Sequence, residues 1–97
     1  MIGNNAQIGK KVYVLNEFEE DHVLFKVGRS GVIKKINWGG QDFVLSLGIE
    51  WDFRAPSFHT CGGKCEPDQG YYIYQHNFNN LGMSKKQGNI GLYWGNK

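Results

Sequence analysis

The chain has 97 residues and a formal net charge of +2; it is 40% hydrophobic and 14% aromatic, with 14 Gly and only 2 Pro. That length holds one domain, and no stretch approaches the roughly 20 apolar residues of a membrane helix, so a multidomain enzyme, a membrane-spanning helix, a coiled coil and an acidic-tail protein are excluded. The aromatic load argues against disorder and for strands, because large flat side chains suit a pleated, half-buried surface.

Residues 1–9 (MIGNNAQIG) carry no periodicity and read as a flexible leader. They form no apolar run of signal-peptide length, so a reducing cytoplasm is the expected compartment. Residues 10–15 (KKVYVL) read as a first strand, residues 16–22 (NEFEEDH) as a charge-dense link whose Glu19-Glu20-Asp21 run is solvated or faces a basic partner, and residues 23–27 (VLFKV) as a second apolar run stopped by Gly28. Residues 31–38 (GVIKKINW) form another strand, closed by the Gly39-Gly40 turn signal. Phe43, Leu45, Leu47, Ile49 and Trp51 then alternate with Val44, Ser46, Gly48, Glu50 and Asp52, which is the period of a half-buried strand. Residues 71–74 (YYIY) enter a further strand through Gly70, residues 77–81 suit a single 3₁₀ turn, and Ile90, Leu92 and Trp94 alternate once more.

No window shows a 3.6-residue period. Five or six short strands in so short a chain predict an all-β domain, a small barrel or sandwich, and a barrel limits exposed edges. The expected interior is Val12, Val14, Val32, Ile36, Leu45, Leu47, Ile49 and Ile73.

Gly28 to Ile36 reads G-x-x-G-x-[VI]-x-x-I, a glycine-permitted turn feeding an apolar strand. This unit resembles the turn and strand of SH3-like small barrels, including KOW motifs, CAP-Gly domains and mind-bomb-type domains. The order continues through Ile49-Glu50-Trp51-Asp52, then His59-x-Cys61-Gly62-Gly63-x-Cys65, then Gly70-Tyr71-Tyr72-Ile73. It is similar to that of small SH3-like barrel proteins of bacteriophage and bacterial genomes. The resemblance implies one SH3-like β-barrel of 5–6 short antiparallel strands over residues 10–81. Residues 82–97 are then a C-terminal extension able to pack as an added strand. It also implies an accessory protein that works in the cytoplasm, the host cytoplasm if phage-encoded, by docking on a host protein complex. The G-K-N-D-G signature of CAP-Gly domains is absent, so tubulin binding is not implied.

The chemical cluster is His59, Cys61, Cys65 and His76. Two thiolates and two imidazoles are a zinc donor set, although the cysteines stand three residues apart rather than the commoner two. A Cys61–Cys65 disulfide, two plain thiols in a glycine-rich loop, and a Cys61/His59 nucleophile–base pair are the alternatives. No third catalytic group has a recognisable spacing, so the expectation is a protein that is not an enzyme and needs no cofactor, with zinc as the one candidate. Gly62-Gly63-Lys64 can form an anion-binding nest of backbone amides or a plain loop; it is not a phosphate-binding P-loop.

Two binding surfaces follow from composition. Trp38, Trp51, Phe53, Arg54, Phe58, Tyr71 and Tyr72 flank the loops and form the expected protein-docking set, since so small a core cannot bury every aromatic side chain. Lys10, Lys11, Arg29, Lys34 and Lys35, with Lys85 and Lys86 in the tail, form the alternative nucleic-acid patch. A net charge of +2 gives little long-range field for phosphates, which places protein docking ahead. Open strand edges suit β-augmentation by a partner or by a second copy in a homodimer, and self-assembly is the third reading.

Overall fold

The computed structural model describes residues 7–41 and 43–83. The expected tail strand around Ile90, Leu92 and Trp94, the Lys85-Lys86 pair and the first six residues lie outside the described residues. The described residues form seven strands: β1 Lys11–Val14, β2 Phe18–Glu20, β3 Val23–Phe25, β4 Ser30–Trp38, β5 Val44–Trp51, β6 Gly70–Tyr74 and β7 Leu81–Gly82. A 3₁₀ helix, Gln75–Asn80, links β6 to β7. The domain is all-β, as the period-two patterning predicts.

Five strands make one sheet in the order β6-β5-β4-β1-β7, and β2 and β3 form a separate hairpin. All pairings are antiparallel. The 3₁₀ helix therefore carries the chain from one edge of the sheet to the other. Among the described residues no ladder joins β6 to β7, so the hydrogen bonding does not close a ring. Gly9, within the expected leader, donates to the Ile33 carbonyl at 2.7 Å, and Ile33 donates to the Lys10 carbonyl at 2.9 Å. The chain is thus held to β4 ahead of β1.

The core lies between one face of the sheet and the β2–β3 hairpin. Val12, Val14, Ile33, Leu47, Ile49, Ile73, Phe78 and Leu81 are fully buried. The hairpin adds Phe18 and Phe25, which stack at 4.9 Å between ring centroids with 9° between planes. Phe25 then meets Trp51 at 4.7 Å, and Phe58 stacks on Tyr71 at 4.9 Å. Aromatic pairs of this kind add about 0.5–1.5 kcal/mol each beyond their buried area.

Two bulges correct the expected interior. Ile33 pairs with Ile49 but Lys35 pairs with Gly48, and Asn37 pairs with Ser46 but Trp38 pairs with Val44. Lys34 and Leu45 are the extra residues. A bulge breaks the strict alternation of faces, so Ile33 and Ile36 both pack toward the core despite their spacing of three. Val32, expected inside, is only half-buried on the other face. Leu45 is 37% exposed and Val44 takes its place at 0%.

Two elements were not expected. The supposed charged link contains β2, whose Phe18 and Glu20 face inward while Glu19 faces out. Asp21 and His22 make its turn in the left-handed region, at φ 51° and 70°. The strand β7 is only two residues long and has no periodic signature.

A candidate binding cleft at the open edge of β6

The segment between β5 and β6 wraps round the sheet edge. Phe58 turns into the core. His59 then runs beside Gly70, and the two exchange both backbone hydrogen bonds. Beyond that rung, Cys61 and Cys65 lie on the face opposite the core. Glycine makes room for them: a Cβ on Gly48 would lie 3.2 Å from Cys61 Cβ, and one on Gly70 would lie 3.0 Å from Cys61 Sγ and 2.8 Å from Cys65 Cβ.

The rung fixes which groups of β6 face outward. Gly70 spends its N–H and C=O on His59, away from β5, while Gln69 accepts from Trp51 N–H within the sheet. Successive residues of a strand alternate in this respect. Tyr71 and Ile73 therefore bond to β5, and Tyr72 and Tyr74 present their backbone groups to the open edge. Tyr74 N–H is taken by Glu20 Oε1 at 3.1 Å. Tyr72 N–H and C=O, between the His59 rung and the Glu20 cap, have no partner among the described residues.

A cleft of about 520 Å³ opens at this edge, lined by Glu20, Asp21, His59, Tyr71, Tyr72, Tyr74 and His76. Glu20 is 6% exposed. Its Oε1 also accepts from Asn77 Nδ2 at 3.0 Å, whereas among the described residues its Oε2 meets only His76 Nε2 at 3.8 Å, beyond hydrogen-bond range. Tyr71 donates its hydroxyl to Asp21 Oδ2 at 3.2 Å. Burial, and next the negative charge of Asp21, push the Tyr71 phenol above its ordinary pKa. His59 sits against both Tyr71 and Tyr72, at 5.8 and 5.4 Å between ring centroids. Lys35 backs Tyr72, with Nζ 3.3 Å from the hydroxyl.

The expected docking set divides. Trp51, Phe58 and Tyr71 are buried and build the aromatic core, and of these three only Tyr71 also lines the cleft. Phe53 is half-buried between Phe25, Trp51 and Phe58, with the Arg29 guanidinium 4.6 Å above its ring. Arg54 is exposed and donates to the Pro67 carbonyl at 2.8 Å. Trp38 is 48% exposed at the β4–β5 turn. Of the seven, only Tyr71 and Tyr72 reach the cleft.

The basic set does not form a free patch. Arg29 pairs with Asp52 at 3.6 Å, Lys34 with Glu50 at 3.9 Å, and Lys35 is spent on Tyr72. Lys11 lies 5.5 Å from the Tyr13 ring centroid, and Lys10 is exposed.

The Cys/His cluster does not assemble either. Among the described residues no three His, Cys, Asp or Glu side chains come together as a metal site. His59 Nδ1 accepts from Cys61 N–H at 3.0 Å, and His76 stands by Glu20. Both cysteines are free and buried. Burial pushes the Cys61 thiol up to about 12, with Cys65 adding to the rise. Cys65 is raised as well, again by burial first. A nucleophilic cysteine needs the opposite shift. The anion nest is also absent: the N–H groups of Gly63, Lys64 and Cys65 all turn inward to the Thr60 carbonyl, at 3.0, 2.8 and 2.8 Å.

Sequence reasoning left Glu20 and Asp21 in a charge run, solvated or facing a basic partner, without foreseeing that Glu20 is buried, and it passed over Tyr74. The alternation Phe18-x-Glu20, mirrored by Val23-x-Phe25 about Asp21-His22, is the signal that would have found the hairpin and its buried carboxylate. Comparison with protein-family models, curated proteins and solved structures found no match.

Proposed function

We propose that the chain is a non-catalytic protein-binding module on an SH3-like barrel plan, and that an extended segment of a partner protein docks at the β6 edge. The single observation that carries this reading is the outward-facing backbone of Tyr72, bracketed by the His59 rung and the Glu20 cap. A strand edge with one unclaimed N–H and C=O beside a cleft is what β-augmentation uses: main-chain bonds give affinity and the cleft takes a side chain. The barrel plan is supported by the strand order, by the hairpin between β1 and β4 that covers the core, and by the 3₁₀ helix crossing from one sheet edge to the other. Protein is favoured over nucleic acid because Arg29, Lys34 and Lys35 are already engaged by Asp52, Glu50 and Tyr72.

The test is selection of displayed random peptides on the immobilised full chain, followed by amide NMR with the selected peptides. Shifts centred on Tyr72 and Tyr74 support the reading. Selected peptides that map elsewhere overturn it, as does salt-sensitive binding of nucleic acid that competes with them.

A further inference from the structure

We infer that the cleft beside β6 reads a lysine or arginine side chain carried by the docked strand; this rests on the edge-docking reading above. The chemistry of the lining is one-sided. Glu20 and Asp21 supply two carboxylates, His59 and His76 are its other ionisable groups besides the tyrosines, and among the described residues no lysine or arginine lines it. Lys35 reaches Tyr72, with Nζ 5.7 Å from the ring centroid and 3.3 Å from the hydroxyl, and is not among the residues that line the cleft.

The carboxylates have capacity to spare. Each ionised carboxylate offers about four lone-pair sites. Glu20 uses Oε1 on Tyr74 N–H and Asn77 Nδ2. Its Oε2 lies in a side chain 8% exposed, facing His76 across 3.8 Å. Asp21 uses Oδ2 on the Tyr71 hydroxyl, and its Oδ1 accepts from no described residue. A carboxylate oxygen of a nearly buried side chain, with no hydrogen-bond donor among the described residues and on the wall of an open cleft, is an unfilled acceptor for a cation. Tyr74, an exposed side chain on the same wall, adds a ring face and a hydroxyl oxygen, which attract an ammonium or guanidinium group.

The same wall fixes the ligand's geometry. Glu20 caps Tyr74 N–H, two residues along the strand from the free groups of Tyr72. A residue hydrogen-bonded to Tyr72 thus has a neighbour level with Glu20, where its side chain can enter the cleft. An acidic or neutral side chain at that position would leave Oε2 unfilled or meet repulsion, so the site discriminates by charge as well as by backbone pairing.

The experiment titrates the full-length, ¹⁵N-labelled chain with three capped pentapeptides, Ac-TVKVT-NH2, Ac-TVRVT-NH2 and Ac-TVQVT-NH2. The lysine and arginine peptides are expected to shift the Tyr72 and Tyr74 amides and to bind about tenfold more tightly than the glutamine peptide, with the gap narrowing at high salt. Asp21→Asn keeps an acceptor for Tyr71 and suits the left-handed turn; it is expected to shrink that gap, and Glu20→Gln to shrink it further. Equal affinity of all three peptides at Tyr72 overturns charge reading and leaves edge docking standing. Failure of every peptide to move Tyr72 overturns both. Tyr72 shifts that follow protein concentration instead of peptide assign the edge to a second copy and overturn the inference.

Discussion

His59 and Gly70 exchange both of their backbone hydrogen bonds at 2.7 Å, adding a single rung to the outside of β6. That rung seals the start of the strand and leaves its middle open. It also divides the preceding loop, sending Phe58 into the core and Cys61 to the opposite face of the sheet.

Gly70→Ala tests how tight this rung is. A Cβ there would fall 2.5 Å from the His59 carbonyl oxygen, a backbone atom that cannot rotate away. Overpacking of this kind costs about 1–3 kcal/mol, and each kcal/mol lowers Tm by roughly 4–8 °C in a domain of this size. Thermal unfolding followed by circular dichroism measures it, and an unchanged Tm would show that the rung is slack.

Glu20 holds three parts of the molecule together: its own hairpin, the end of β6 and the 3₁₀ helix. Glu20→Ala leaves Tyr74 N–H without its acceptor and Asn77 Nδ2 with only the Glu19 carbonyl, at a cost of about 1–3 kcal/mol for an unsatisfied buried group. Glu20→Gln retains one acceptor oxygen and is expected to cost less. Urea unfolding of the two variants gives the order; equal losses would contradict the acceptor role.

The thiols predict an alkaline weakness. The Cys61 pKa rises on folding from an ordinary value near 9.0 to about 12, chiefly through burial. A group raised in the folded state contributes stability in full below its unfolded pKa and loses it as pH climbs toward the folded value. The urea midpoint is therefore expected to fall as pH rises from about 9 toward about 12. Tyr71, also raised, pulls in the same direction, so Cys61→Ala should flatten the decline only in part. At neutral pH both thiols should react with a disulfide reagent far more slowly in the native chain than in denaturant. Fast native labelling would mean the loop does not shield them.

The tryptophans at the two ends of the exposure range give a paired test. Trp38→Ala, at 48% exposed, is expected to change stability by no more than about 0.5 kcal/mol. Trp51→Ala, at 1% exposed and packed on Phe25, is expected to cost about 3–5 kcal/mol. Chemical denaturation of both variants decides, and comparable losses would place Trp38 in the core.

The strands with clean alternation were readable from sequence. Residues 10–15, 31–38, 43–51 and 71–74 fall on β1, β4, β5 and β6, and the short 3₁₀ turn falls where Asn and Phe follow the tyrosines. The faces were read less well, because a bulge at Lys34 or Leu45 leaves no mark in local composition yet flips every residue beyond it. The hairpin was hidden by its own charges: Glu19 and Asp21 are exposed as acidic residues should be, and only partners far along the chain, Tyr74 and Asn77, make Glu20 tolerable inside. The aromatic docking set failed at Trp51 and Phe58 for a related reason. Position beside a loop does not reveal that the loop folds back over the core.

The pairing of β1 with β7 joins Tyr13 to Gly82 and Val14 to Leu81, residues from opposite ends of the described chain. Such long-range pairing carries a large loop-closure entropy and slows folding. During synthesis the β4–β5 meander can form from neighbouring residues while β1 still waits for its outer partner. The last rungs of the sheet are thus made only after Leu81 and Gly82 have left the ribosome, and until then the outer edge of β1 stays bare to chaperones or to another nascent copy.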